Sequence, residues 1–190
     1  MKDRLGRYLL ARRIDVVLPK VRGSLLDVGC GSNQLVRRYR QERGERVAVG
    51  VDVHPWPGVD RVVEDSADLP FPDGSYDTVT IVAALNHIAD RERTLAEVFR
   101  VLREDGRLLV TMIPPGISRL WHFLRSPWDA DQAERGMVEG ELFGMTRAQV
   151  DRLLLDAGFR LREHERFMLG VNCLTVAEKP GSGEPGMGAA

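Results

Sequence analysis

The chain has 190 residues and a formal charge of −1, with 27 basic against 28 acidic side chains. That length suits one domain with a core of its own, and the balanced charge gives no reason to expect a nucleic-acid partner. Basic and acidic residues alternate, as in RERTLAEVFRVLRED, which reads as a solvated surface with local ion pairs.

In chain order, residues 4 to 19 place Leu5, Leu9, Leu10, Ile14 and Val17 at helical spacing. The basic start, MKDRLGRYLLARR, reads as an exposed helix face ahead of a membrane-surface contact. Arg12, Arg13 and Asp15 interrupt the apolar run that a signal peptide needs, and no apolar stretch approaches the ~18 residues of a membrane span. The expected location is therefore the cytoplasm, with no stable membrane insertion. Leu25–Val28 is a short strand. Ser32 or Asn33 then caps a helix with Leu35, Val36 and Tyr39 on its inner face and Gly44 at its end. Residues 47 to 53 form a second strand that ends in an acid, and 61 to 65 a third. LPFPDGSYD carries turn signals. The run 78 to 85 is almost wholly apolar, as a central parallel strand buried on both faces requires. A helix over 92 to 102 and a strand from Gly106 follow, stopped by Pro114-Pro115.

Residues 116 to 145 mix aromatics with charges and read as an insertion. Thr146 and Gln149 form a capping box ahead of Val150, Leu153, Leu154 and Ala157, with Gly158 as the stop. Two strands, about 159 to 168 and 171 to 178, close the core, and 180 to 190 is a disordered tail. Strands alternating with helices predict an α/β, doubly wound, Rossmann-like sheet of seven strands, mostly parallel, with helices on both faces. The last two strands are joined by almost no linker, so the final one should run antiparallel. The whole of 1–179 is read as one domain.

Ligands in such sheets lie at the carboxyl ends of the strands. Asp27, Asp52 and Asp65 fall at or near those ends. A phosphate would want bare N–H groups and a lysine instead; no GKS or GKT follows the glycines, and a dinucleotide fingerprint lacks its third glycine. An acid two residues before the first glycine suits a ligand that carries an amino group. Cys30 and Cys173 stand far apart in apolar settings, so neither a disulfide nor a metal site is expected.

Four motifs in order now carry a resemblance. Asp27-Val28-Gly29-Cys30-Gly31 is similar to the acid-x-G-x-G motif of the class I S-adenosylmethionine-dependent methyltransferases, in their small-molecule "type 11" branch. Val51-Asp52 resembles the acid that ends the second strand. The stretch from Asp65 through Asp77 resembles the long third motif almost position for position, and Leu102–Leu108 the turn into strand five. The resemblance covers residues 23 to 115 closely and 140 to 179 loosely. It implies S-adenosylmethionine as cofactor and S-adenosylhomocysteine as product. It also implies roles: Gly29, Cys30 and Gly31 in the backbone cradle, Asp27 toward the ammonium, Asp52 on the ribose hydroxyls, Asp65 and Ser66 at the adenine edge, Val53 and Leu69 on the two faces of the ring, and Ala83 beside the cofactor after strand four. Asn33 departs from the family's third glycine. It tolerates a left-handed turn, so the loop should keep its shape.

Methyl transfer needs an aligned nucleophile, exclusion of water and in some cases a base. His87, just past strand four, is the candidate base, because imidazole titrates near neutrality; a role in packing or capping beside Asp90 is equally open. Asn86 is a candidate for orienting the acceptor. Trp121, His122, Trp128 and Arg135 of the insertion are candidates for the acceptor pocket, with packing onto the sheet as the other reading of the tryptophans. His54 and His164 read as surface residues. The function predicted is methyl transfer to a small-molecule or lipid-linked acceptor by a monomer or homodimer. A cofactor-binding protein without transfer activity is the alternative. Methylation of nucleic-acid amino groups is disfavoured by the charge and by the lack of N-P-P-Y or D-P-P-Y after strand four.

Overall fold

The computed structural model describes residues 4–44, 47–116, 142 and 144–181. Seven strands form one sheet: β1 (Leu25–Val28), β2 (Ala48–Asp52), β3 (Arg61–Val62), β4 (Tyr76–Val82), β5 (Leu102–Met112), β6 (Arg160–Phe167) and β7 (Asn172–Glu178). Their order is β3-β2-β1-β4-β5-β7-β6. The pairs β1–β2, β1–β4, β2–β3 and β4–β5 are parallel, whereas β7 is antiparallel to both β5 and β6. The chain turns outward in opposite directions from β1 and β4, and this reversal of strand order opens a crevice at their carboxyl ends.

Helices cover both faces. On one, Ile14 and Val17 of α1 (Arg4–Val17) and Leu35, Val36 and Tyr39 of α2 (Gln34–Arg43) pack with Leu25, Leu109 and Leu174. On the other, Leu95, Val98 and Val101 of α3 (Arg91–Val101) and Val150 and Leu154 of α4 (Arg147–Asp156) pack with Leu26, Val79, Ile81 and Leu108. Alternation along each strand sorts neighbouring side chains into these two layers. α4 begins on the expected capping box, Thr146 with Gln149. No helix among the described residues is long and apolar enough to cross a membrane.

Several boundaries differ from the sequence reading, each for a local reason. β3 pairs over two residues only, because the Asp65 carboxylate takes the Ala67 amide at 2.8 Å and turns the chain. β4 stops at Val82, since Ala83 takes φ 53° and Leu85–His87 wind into a 3₁₀ turn. β5 begins directly at Leu102, with an irregular register opposite Tyr76–Thr78. His164 is half-buried and partnered, between Asp151 Oδ2 at 3.5 Å and Thr175 Oγ1 at 3.2 Å.

Candidate active site

The site is built from β1, β2 and β4 where their carboxyl ends meet. Val51 accepts the amides of both Gly29 and Cys30, at 2.9 and 3.0 Å, so the glycine loop folds over the end of β2. Two glycines permit this for different reasons. Gly29 has φ 71°, and a Cβ on it would lie 2.5 Å from that of Ala84 in the loop after β4; the protein's own packing demands it. Gly31 has φ 52°, and a Cβ there would meet no atom within 4 Å. The turn is one that glycine adopts without strain, and the space beside its Cα is open.

Asp52, 6% exposed, closes β2. Its Oδ2 accepts the Gly31 amide at 2.9 Å and its Oδ1 the His54 amide at 2.9 Å. Each carboxylate oxygen keeps a second lone pair, so the group is oriented while still able to accept. Asp27 is 2% exposed in the middle of β1, opposite Thr80 of β4, whose hydroxyl donates to Asp27 Oδ1 at 2.6 Å. Burial pushes the Asp27 carboxyl up to about 7, against the Thr80 hydrogen bond and helped by the charge of Asp52. No cation among the described residues pairs with it. A buried acid poised this way is relieved by a cationic ligand. Thr80 was missed in the sequence; the signal was a polar side chain inside an otherwise apolar strand.

Cys30 is half-buried, and burial with the charges of Asp27, Asp52 and Asp60 holds its thiol well above the usual range. Val53 stays exposed beside Asp52. Asp65 is exposed and Ser66 half-buried on the turn after β3. The amide of Ala83 donates to the Thr111 carbonyl at 3.1 Å and to its hydroxyl at 3.0 Å, which pins the end of β4 to β5.

Two assignments are corrected. Leu69 is 2% exposed, and its side chain is taken up in the apolar core cluster with Leu95, Val98 and Ile81 and not set against a ring. Its amide donates to Glu97 Oε2 at 2.9 Å and its carbonyl accepts from Arg100 at 2.9 Å, an anchoring by α3 that the sequence did not reveal. Asn86 is 7% exposed, and its Nδ2 donates to the Leu142 carbonyl at 3.0 Å while its own carbonyl accepts the Leu142 amide at 2.9 Å. Asn86 thus latches Leu142 beside the end of β4, and its amide nitrogen is engaged there and not turned toward an acceptor. His87 follows it, exposed at the same rim. Trp121, His122, Trp128 and Arg135 lie outside the described residues.

At the β1–β4 reversal an open glycine turn at Gly31, the oriented carboxylate of Asp52 and the buried acid of Asp27 come together. Residues 26–110 match the family described as a methyltransferase domain, and the chain belongs to the class I S-adenosylmethionine-dependent methyltransferases, in their small-molecule branch. S-adenosylmethionine is the cofactor of that family, and the residues present fit it. Among particular relatives, the chain is 34% identical over 117 residues to the demethylmenaquinone methyltransferase of Thermus thermophilus, covering 55% of this chain and 53% of that one. It thus spans about half the length of that protein. It is 31% identical to the ubiquinone/menaquinone biosynthesis C-methyltransferase of Pseudomonas fluorescens, covering 92% of this chain and 80% of that one. In fold it is similar to a protein from Pyrococcus horikoshii, with a TM-score of 0.71 at 21% identity over 94% of this chain and 93% of the other.

Proposed function

We propose that this protein transfers a methyl group from S-adenosylmethionine to a small quinol-like acceptor. The observation that carries the reading is the pair of acids at the crevice: Asp27 buried without a cation, and Asp52 held by two backbone amides with lone pairs to spare. In this reading Asp52 accepts the ribose hydroxyls, Asp27 faces the ammonium, and Gly31 leaves room for the ligand. Val53 lies along the adenine ring, with Asp65 and Ser66 at its edge. When bound, S-adenosylmethionine supplies an electrophilic methyl group and leaves as S-adenosylhomocysteine.

The quinol-like acceptor rests on two of the relatives above, one named a demethylmenaquinone methyltransferase and the other a ubiquinone/menaquinone biosynthesis C-methyltransferase. A ring hydroxyl that loses its proton makes the ring a better nucleophile, so the chain's own contribution is a base and a dry setting. His87, at the rim after β4, takes that proton. The Asn86–Leu142 hydrogen bonds hold Leu142 at the same rim. The protein should act on its acceptor in the cytoplasm, as a monomer or homodimer.

Calorimetric titration with S-adenosylmethionine and S-adenosylhomocysteine tests the cofactor, and methyl uptake into a panel of prenylated and unprenylated quinols tests the acceptor. Binding of both cofactor forms with uptake into a quinol supports the reading. Failure of both to bind overturns it. Binding without uptake by any acceptor would assign the protein to cofactor binding alone.

A further inference from the structure

Asn33 stands where the family carries its third glycine, and it keeps the left-handed turn of that position, with φ 57° and ψ 33°. Its side chain is fully buried, yet it makes no capping bond to α2, contrary to the sequence reading. Nδ2 donates instead to the Gly58 carbonyl and to Asp60 Oδ2, both at 2.9 Å. The same Asp60 carboxylate accepts the Gly50 amide of β2 at 2.9 Å and two bonds from Arg40 of α2 at 2.9 and 3.1 Å. One asparagine thereby joins the glycine loop to the loop 53–60 and to the middle of β2.

The seat for this side chain is cut out of β2. A Cβ on Gly50 would lie 2.1 Å from Asn33 Oδ1. Oδ1 itself is buried without a hydrogen-bond partner. Such an oxygen is destabilising; a glycine at 33 would avoid it and adopt the same φ without steric strain, but would lose the two Nδ2 hydrogen bonds and more backbone entropy. What it joins is informative: Gly31 and His54, the two amides that hold Asp52, sit one on each of the loops it ties together.

We infer that Asn33 is a positioning residue for the cofactor, acting through Asp52. Its amide sets the spacing between the glycine loop and the loop 53–60, so that the Gly31 and His54 amides clamp the Asp52 carboxylate ready to accept the ribose hydroxyls. This rests on the cofactor site proposed above. It makes the chain's departure from the family's glycine pattern a substitute device: hydrogen bonds replace the close packing of a third glycine.

The test uses Asn33→Gly, which keeps the turn and removes the bonds. Hydrogen exchange on the protein without added ligand should show faster exchange at the Gly31 and His54 amides, with Leu26 and Val79 in the core unchanged. Titration with S-adenosylhomocysteine should show about tenfold weaker binding for Asn33→Gly, a coupling of ordinary size for groups in one network. That penalty should shrink to about twofold or less when Asp52→Ala is already present, because the group through which Asn33 acts is gone. Unchanged protection of the two amides, or the same tenfold loss in the Asp52→Ala background, would overturn the inference and make Asn33 a plug for the Gly50 gap. A wild-type protein that binds no S-adenosylhomocysteine would remove the cofactor reading instead, leaving hydrogen exchange to decide whether Asn33 holds Asp52.

Discussion

Carboxylates stand on opposite terms at the two sides of the sheet. Toward β6 and β7 they are partly exposed and matched with cations: Lys20 reaches Glu163 at 2.7 Å and Glu165 at 3.2 Å, and Glu178 is shared by Arg107 at 3.2 Å and Arg162 at 2.7 Å. At the carboxyl ends of β1 and β2, Asp27 and Asp52 are instead buried and held by a hydroxyl and by backbone amides, with no cation among the described residues paired to either. The first arrangement protects an edge strand and keeps it soluble. The second is unfavourable for the folded chain by itself and becomes favourable when a ligand brings donors and positive charge. The difference separates charge kept for the surface from charge kept for binding.

Four measurements sharpen or break that contrast. The largest effect is expected at His87, where replacement by Ala should lower turnover by ~10²–10⁴ and leave S-adenosylhomocysteine affinity unchanged; equal turnover would make His87 structural. Next is Asp27. Its carboxyl titrates at about 7 in the folded protein, against ~3.9 in an unfolded chain. The folded state therefore keeps a proton that the unfolded state has released. The stability this group supports is complete below pH ~4 and is lost as pH rises toward 7, by on the order of 4 kcal/mol. Urea denaturation across that range should show the slope in the wild type and a flatter one in Asp27→Asn, with the variant the more stable at pH 8 and the weaker cofactor binder. Parallel slopes would mean that Asp27 is not titrating.

Asp52→Ala follows, with cofactor affinity reduced by about 1.5–3 kcal/mol, the range for hydrogen bonds to a charged group; unchanged calorimetric affinity would remove Asp52 from the ribose. The smallest effect belongs to the other side of the sheet. Glu163→Gln breaks an ion pair whose acid is about half exposed, and should change stability by no more than about 0.5 kcal/mol and cofactor binding not at all. A loss of several kcal/mol there would erase the distinction between the two sides.

Much of this was legible without coordinates. The apolar runs of β1 and β4 mark strands buried on both faces, the capping box marks the start of α4, and the near-absent linker between β6 and β7 dictates an antiparallel hairpin. Asp52 stands out as a candidate because an acid closing an apolar strand has little packing value of its own, and Asp27 and Gly31 through the resemblance of the motif 27–31. Leu69 and Asn86 were misread for a common reason. A leucine beside a motif looks the same in sequence whether it faces a ligand or the core, and an amide looks the same whether it meets a substrate or the backbone of a distant segment.

What the residue order determined by itself is therefore the alternation of elements, the doubly wound sheet and the acids and glycines at its rim, because these follow from periodicity and from local turn chemistry. Tertiary structure decided which of those groups are poised. The elevated titration of Asp27 depends on its burial opposite Thr80, the clamp on Asp52 on two loops meeting, and the work of Asn33 on a gap at Gly50. All three depend on residues brought together across the fold, and distances of that kind are set by packing, which no local pattern encodes.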